Sequence, residues 1–311
     1  MAQTPIQTRN IGPDGILELI PNVANPKHAP LYLDPSKGDP TSKDGPFAIT
    51  YGGDFISSNI IQGINGAICL ETDGAVQHYK PDKHGHKKPD GRSMRAHWFY
   101  DCKPSDDGKY SWKDHKVPIY LYSEKAFYNF EMTAVVEVGD PLDPANGQLI
   151  HQSCAFKLRA RPDGGNKDDL RSTVECCFPN SQKPDAYFNY NYSHHGYENV
   201  EGIKQHTKEG VVESHKPLGL KVVSVIADNR KSSWYGWYTN TDPIGPDGKF
   251  INKRWKLKAE YNATGISEYK NIPPVWAGMT DYLRMDGYKK FRLYNFSIRE
   301  IDKEVVESQV Y

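Results

Sequence analysis

The sequence predicts an all-β protein built as a two-sheet antiparallel β-sandwich. Gly and Pro, 26 and 22 of the 311 residues, are spread along the whole chain and punctuate it at short intervals. From residue 47 onward, segments of strand length rich in β-branched and aromatic residues follow one another. No long segment places apolar residues at helical spacing. Many short strands joined by turns are typical of stacked antiparallel sheets.

The predicted strands are separated by Gly, Pro, Asn and Asp, and in chain order they read FAITYGG, AICLETDGAVQHY, RSMRAHWFYD, NFEMTAVVEV, CAFKLRAR, STVECCF, YFNYNY, LKVVSVIAD, WYGWYTN, RWKLKAEYN and FRLYNFSIREI. Within NFEMTAVVEV the apolar residues alternate with polar ones, which predicts a half-buried strand. Its inward face would carry Phe130, Met132, Ala134, Val136 and Val138. Eleven such strands without intervening helices favour a jelly roll or a concanavalin A-like sandwich.

The chain reads as one domain with an N-terminal extension. Residues 1–46 are rich in Pro, Asp, Asn and Lys, with a single short apolar piece, ILELI, at 16–20. We expect them to form an irregular arm packed on the core, and residues 47–311 to form one β-jelly-roll domain.

Composition excludes several function classes. Lys and Arg together number 39, as do Asp and Glu, so no global field attracts nucleic acid or a membrane. No apolar run is long enough to span a membrane. The first residues lack the apolar core of a signal peptide, which predicts a cytoplasmic protein, or an extracellular one if a leader has been removed. Sequence does not indicate an oligomeric state.

Cysteine and histidine patterns predict neither disulfides nor a metal. The five cysteines include no CxxC pair, and Cys154 and Cys176 lie among apolar strand residues, which favours buried free thiols. HGH at 84–86 is surrounded by lysines that would repel a cation. We expect no metal and no cofactor.

Two strands place three cations each on one predicted face. In CAFKLRARP these are Lys157, Arg159 and Arg161, and in KRWKLKAEYN they are Arg254, Lys256 and Lys258. If both rows shared a concave sheet, they would bind an anionic polysaccharide. They would otherwise be solvated outer faces.

Aromatic residues interleaved with Asn supply a second element of a sugar-binding groove. Tyr190, in YFNYNYSHHGY, and Trp237, in WYGWYTN, are candidates for stacking on sugar rings. Such segments also occur as ordinary cross-strand packing.

Four segments, taken in order, resemble the jelly-roll alginate lyases of polysaccharide lyase family 7. They are the hairpin and strand TDGAVQHYKPDKHGHKKPDGRSMRAHW, the segment GQLIH, the strands CAFKLRAR and STVECCF, and VWAGMTDYL with the closing strand FRLYNFSIREI. The resemblance spans about residues 70–300. It implies a concanavalin A-like sandwich that cleaves a uronate glycan by β-elimination.

The departures from the family pattern fall on its chemistry. Arg92 matches the first Arg, but Met94 replaces the family's Glu. Gln148 and His151 are three residues apart rather than two. Thr280 occupies the catalytic Tyr position, with Tyr282 two residues further along the same predicted face.

The resemblance, combined with the chemistry of β-elimination, assigns roles. The reaction requires a neutralised carboxylate, a base for the C5 proton and an acid for the leaving O4. Arg92, or Arg95 in its place, and Gln148 would neutralise the carboxylate, and His151 would be the base. Tyr282 would be the acid. His97 would lie near Arg95 on the same strand face.

Three hypotheses of function remain open from sequence. The first is a polysaccharide lyase. The second is a non-catalytic, lectin-like carbohydrate-binding sandwich, which would explain the missing Glu and Tyr. The third is a structural surface or coat protein, which the N-terminal arm favours.

Overall fold

A computed structural model describes residues 10–37, 47–51, 54–55, 57–73, 79–81, 87–89, 94–100, 103–104, 110–111, 126–142, 152–160, 173–180, 185–193, 196–199, 205–206, 210–227, 232–263 and 280–310. In chain order its strands are β1 (Leu31–Leu33), β2 (Phe47–Tyr51), β3 (Asp54–Phe55), β4 (Asn59–Gln62), β5 (Ile68–Asp73), β6 (Tyr79–Pro81), β7 (Lys87–Pro89), β8 (Met94–Phe99), β9 (Lys103–Pro104), β10 (Tyr110–Ser111), β11 (Phe130–Val138), β12 (Ser153–Ala160), β13 (Thr173–Cys177), β14 (Asp185–Ser193), β15 (Gly196–Asn199), β16 (Gln205–His206), β17 (Leu218–Ile226), β18 (Ser233–Asn240), β19 (Trp255–Ala263), β20 (Thr280–Asp286) and β21 (Lys290–Glu300). Two short 3-10 turns, Pro35–Lys37 and Ile64–Gly66, and one helix, α1 (Lys303–Val310), complete the described elements.

The strands form two large antiparallel sheets. Sheet I has the order β19-β18-β17-β11-β21-β5-β4, with β1 paired to β21. Sheet II has the order β15-β14-β13-β12-β20-β8-β2-β3, with β16 paired to β14. Both sheets contribute to one hydrophobic core. The predicted two-sheet antiparallel jelly-roll sandwich is therefore confirmed.

Alternation along each strand generates the core. The five predicted inward residues of β11 all belong to the main cluster, as do Ala96 of β8, Phe156 of β12 and Leu283 of β20. Full burial of the larger of these side chains, those of Val, Leu, Phe and Met, stabilises the fold by about 1.5–3 kcal/mol each. The residues between them lie on the outer faces of the sheets.

The outer face of β11 is not solvated, contrary to the half-buried strand that its alternation predicts. All nine residues of β11 are buried. The backbone N–H groups of Leu19 and Ile20 donate to the carboxylate of Glu131, and the ammonium of Lys221 donates to Leu17 O and pairs with Glu131. The described part of the N-terminal segment therefore covers this face of sheet I. The domain boundary at residue 46 stays a prediction.

Two copies of the sequence IGPDG hold this segment to the far end of sheet I. Residues 11–17 and 244–250 form the same turn, each closed by an isolated bridge and each with glycine at positive φ, +77° at Gly15 and +76° at Gly248. Only glycine adopts this conformation without strain. The Asn252 side chain donates to Gly15 O and accepts from Leu17 N–H, which joins the two turns.

Helix α1 follows the last strand and is not predicted by the sequence analysis. It packs Val306 against apolar residues of β17. Within the described residues, no helix has the length and apolar character that crossing a membrane requires.

Candidate functional site

Four adjacent strands of sheet II, β8, β20, β12 and β13, present charged and titratable residues on the outer face. We call this set the outer-face cluster, and it comprises Arg95, His97, Lys157, Glu175, Tyr282, Arg284 and Asp286. Register aligns its members across the strands. His97 lies opposite Tyr282, Tyr282 opposite Lys157, and Lys157 opposite Glu175. In the neighbouring row, Arg95 lies opposite Arg284.

Arg95 and His97, two of the residues singled out from sequence, both contact a third, Tyr282. The guanidinium carbon of Arg95 lies 5.3 Å from the centroid of the Tyr282 ring, a cation–π contact. The His97 ring centroid is 4.7 Å from that of Tyr282. Tyr282 itself is 8% exposed. These contacts group a guanidinium, a phenol and an imidazole at one point of sheet II.

His97 is fixed by two threonine hydroxyls. Its Nε2 is 2.9 Å from Oγ1 of Thr50, and its Nδ1 is 3.3 Å from Oγ1 of Thr280. Burial, and secondarily the nearby charge of Arg95, holds the pKa of His97 well below its usual range. His97 is therefore neutral at physiological pH, with one ring nitrogen donating and the other accepting.

Two carboxylates neutralise the other cations of the cluster. Glu175 forms a buried ion pair with the Lys157 ammonium and lies 3.5 Å from Nη1 of Arg284. Nε and Nη2 of Arg284 lie 2.7 and 2.6 Å from Oδ2 of Asp286. The prediction that Lys157 points away from the core is correct, but its charge is matched within the protein.

Arg159 does not lie on the outer face with Lys157. Lys157 pairs with Tyr282 and Ala160 with Thr280, so β12 contains one more residue than β20 over this stretch. That β-bulge places Arg159 at φ +54° and reverses the direction of its side chain. Arg159 is 0% exposed and lies between the sheets.

The Arg159 guanidinium is held by groups of sheet I and of the segment before it. Its Nη2 donates to Tyr128 O at 2.8 Å and to Oγ of Ser224 at 2.7 Å. The guanidinium carbon lies 5.4 Å from the centroid of the Phe130 ring. The prediction that Arg159 binds substrate is therefore wrong. Its role is to link the two sheets.

Asp281, on the adjacent strand β20, bonds to the backbone of β12 at the bulge. Its carboxylate accepts the backbone N–H of Arg159 at 2.6 Å and the Tyr100 hydroxyl at 2.8 Å. Burial nevertheless raises the pKa of Asp281 from 3.8 to about 6. The charged carboxylate thus carries a desolvation cost that these hydrogen bonds only partly offset.

The raised pKa of Asp281 predicts a pH dependence of stability. The folded state takes up this proton near pH 6 and the unfolded state near 3.8, so the contribution of Asp281 to stability grows as pH falls through that window. It is fully present below about pH 4 and lost above about pH 6. Relative to Asp281→Asn, the wild type should gain on the order of 3 kcal/mol of unfolding free energy between about pH 7 and 4. Urea unfolding of both proteins at matched pH values measures this, and parallel pH profiles would contradict it.

The second predicted cation row belongs to the other sheet and is also interrupted by a bulge. Trp237 pairs with Ala259 and Tyr238 with Leu257, which leaves Lys258 as the extra residue of β19. Lys258 is consequently buried while Leu257, predicted to face inward, is 46% exposed.

Arg254 and Lys256 are exposed at this edge of sheet I. Nη1 of Arg254 pairs with Asp242 at 2.9 Å. Because β19 and β12 are in different sheets, the prediction that Lys157, Arg159, Arg254 and Lys256 line one face is wrong.

Trp237 is not available to stack on a sugar. It is 0% exposed and part of the main hydrophobic core. The backbone of Tyr190 pairs with that of Val174 in sheet II, but its side chain lies outside the described residues. Arg92, Gln148, His151 and Arg161 lie entirely outside the described residues. The roles assigned to these four residues and to Tyr190 therefore stay predictions.

Sequence reasoning missed Arg284, Asp286 and Glu175. Arg284 and Asp286 follow Tyr282 at the period of two that puts residues on one face of a strand. Glu175 is the only charge in the apolar strand STVECCF, and such isolated charges usually have a partner. The spacing of Arg284 and Asp286 from Tyr282 and the isolated charge of Glu175 are both visible in the sequence.

The described residues contain buried thiols and no candidate metal site. Cys154 and Cys176 are buried and free, as predicted, and so is Cys69, while Cys177 is also buried. In the part of the chain that the structure describes, no three His, Cys, Asp or Glu residues are grouped so that they could hold a metal ion.

Comparison with known proteins does not assign the chain to a family. No family model and no curated protein matches the chain. Among solved structures, it is similar to peanut lectin, at 9% identity and a TM-score of 0.36 over 87% of this chain and 97% of the lectin. It is also similar to the β-glucanase of Bacillus licheniformis, at 10% identity and a TM-score of 0.36 over 88% of this chain and 99% of the glucanase. These TM-scores are too low to support an argument about function.

Proposed function

We propose that the protein is a polysaccharide lyase that cleaves a uronate-containing glycan by β-elimination at the outer-face cluster of sheet II. The observation that carries the proposal is the contact of Arg95 and His97 with the same tyrosine, Tyr282. Arg95 and Tyr282 would supply the cation and the proton donor that this reaction needs around one sugar ring, and His97 packs against the Tyr282 ring.

Arg95 is proposed to bind the carboxylate of the uronate. Neutralising that charge acidifies the C5 proton, and the guanidinium stabilises the enediolate that develops when the proton leaves. Arg95 is only partly buried, and it lies directly opposite Arg284. A carboxylate bound here would meet the Arg95 guanidinium next to the Tyr282 ring.

Tyr282 is proposed to protonate the leaving O4, and His151 to take the C5 proton. The neutral His97 is proposed to position Tyr282, because both of its nitrogens are already engaged by threonine hydroxyls. His151 lies outside the described residues, and its assignment rests on the resemblance in sequence. Replacing it with alanine should lower turnover by at least about 100-fold.

Non-catalytic carbohydrate binding is the second candidate. It is favoured by Thr280, which stands at the catalytic Tyr position of the family that the sequence resembles and bonds to His97 instead. Its hydroxyl is thereby committed to positioning a ring rather than to reacting. In this case the cluster would bind a uronate and leave it intact.

Elimination and binding are separated by one assay. The protein is incubated with alginate, glucuronan and unsulfated chondroitin, and the ultraviolet absorbance of the unsaturated product is followed. A lyase produces a continuous rise with at least one of these glycans. Binding of a glycan, measured by calorimetry, without any rise in absorbance would instead establish the second candidate.

A further inference from the structure

The segment WYGWYTN places its two tryptophans on opposite faces of sheet I. Trp237 belongs to the core between the sheets. Trp234, three residues earlier in β18, lies on the outer face, where it is partly exposed and packs at the border of an apolar cluster that includes Val223 and Val225. The tryptophan that the sequence selects for stacking is therefore buried, while its neighbour in the same segment reaches solvent.

A glycine allows the indole of Trp234 to lie across the strand. At residue 236 a Cβ atom would be 2.4 Å from Cη2 and 2.8 Å from Cζ2 of Trp234. Carbon atoms in contact are about 3.5–4.0 Å apart, so any residue other than Gly236 would displace the ring. The benzene ring of the indole thus covers the backbone of β18.

Polar groups of β19 border this ring. Nε1 of Trp234 donates to Oε2 of Glu260 at 3.3 Å, and Glu260 is exposed. Asn262, also exposed, lies directly opposite Trp234 in the register of the two strands. A partly exposed aromatic ring is thus flanked by a carboxylate and an amide, both of which accept hydrogen bonds from hydroxyl groups.

The apolar surface continues along the strands. Tyr238 lies on the same face of β18 as Trp234, about 13 Å further along the strand, with Gly236 between them. Leu257, which is 46% exposed, lies opposite Tyr238. The surface is therefore longer than one sugar ring. We call it the β18–β19 strip, and it comprises Trp234, Tyr238, Leu257, Glu260 and Asn262.

The chemistry of the strip matches an uncharged sugar. A sugar ring has C–H groups on its faces and hydroxyls around its rim, as an aromatic ring bordered by polar groups requires. In β-linked glucose all ring hydroxyls are equatorial, so both faces present C–H groups. The negative charge of Glu260 beside the indole would repel the carboxylate of a uronate.

We propose that the β18–β19 strip is a second glycan-binding site, which takes a neutral chain of β-linked glucose. It lies on the outer face of sheet I, whereas the outer-face cluster belongs to sheet II. The inference goes beyond the proposed function and does not depend on it, because none of the residues of the strip takes part in the elimination.

Calorimetric titration with a cello-oligosaccharide, an uncharged chain of β-1,4-linked glucose, tests the inference. We expect the wild type to bind it and Trp234→Ala to bind it at least about 10-fold more weakly, because truncating the central aromatic residue of a binding surface has an effect of this size. Gly236→Ala keeps the indole but displaces it, so this variant should also weaken binding. It is the second test if Trp234→Ala does not fold.

Tyr32→Ala is the matched control on the same sheet. Tyr32 is another exposed aromatic residue, on β1, and its loss should leave the affinity unchanged. Arg95→Ala, in the outer-face cluster, should also bind the oligosaccharide as the wild type does.

Absence of binding to the folded wild type would overturn the inference. An unchanged affinity in folded Trp234→Ala or Gly236→Ala protein would overturn it as well. A loss in Arg95→Ala equal to that in Trp234→Ala would place the oligosaccharide on sheet II and likewise contradict the strip. Elimination of uronate glycans is measured separately, so a failure of the lyase assay leaves binding at the strip standing.

Discussion

Tyr282→Phe should lower the rate of β-elimination by at least about 100-fold, the smaller end of what a positioned proton donor contributes. The substitution removes the phenol hydroxyl and keeps the ring, so the contacts with Arg95 and His97 can persist. Initial rates on the most active uronate glycan, followed by product absorbance, measure the effect.

Tyr32→Phe provides the matched control. Tyr32 lies in β1 of sheet I and is 39% exposed, so loss of its hydroxyl should leave the rate unchanged. Thermal unfolding should be nearly the same for both variants and the wild type. A Tyr282→Phe protein that is equally stable and equally active would remove Tyr282 from the reaction.

Arg159→Ala should have the largest effect on stability, a loss of about 3–5 kcal/mol in the free energy of unfolding. The change removes the link from β12 to Tyr128 and Ser224, and it leaves Asp281 buried without the nearby guanidinium. The cost is that of breaking a buried, charge-assisted network. Chemical denaturation at neutral pH measures it.

Arg254→Ala is the same substitution at an exposed ion pair and should cost at most about 1 kcal/mol. The sequence gives the two arginines equivalent places on cationic strands, so the comparison isolates what burial adds. Equal losses in the two variants would contradict the inward position of Arg159.

The sandwich could be predicted because period-two alternation survives in most strands. In β11 the five predicted inward residues are all in the core. The polar face of the same strand could not be predicted, since its burial depends on contacts between Glu131 and residues more than 100 positions earlier. Alternation indicates which residues share a face, but it does not indicate what covers that face.

The candidate site could be predicted only where strands are regular. Arg95, His97 and Tyr282 lie on uninterrupted stretches of β8 and β20, and they meet as the alternation indicates. Each of the two predicted rows of cations is interrupted by a β-bulge, one at Arg159 and one at Lys258. A bulge adds one residue without a distinctive sequence, so every side chain beyond it changes face.

Strand order also could not be read from the sequence. The pairing of Lys157 with Glu175 requires β12 next to β13, and the contact of Glu175 with Arg284 requires β20 on the other side of β12. Charges that look like a free cationic row in the linear sequence are therefore matched by carboxylates from neighbouring strands.

The most direct measurement of the central claim is the mass of the products from a defined uronate oligosaccharide. Elimination cleaves the chain without adding water, so the masses of the two fragments together equal that of the parent, and one fragment carries the double bond. We predict this result for the wild type and intact parent for Tyr282→Phe. Fragments that together have gained one water molecule would identify a hydrolase. An intact parent in the presence of bound, folded wild-type protein would contradict catalysis altogether.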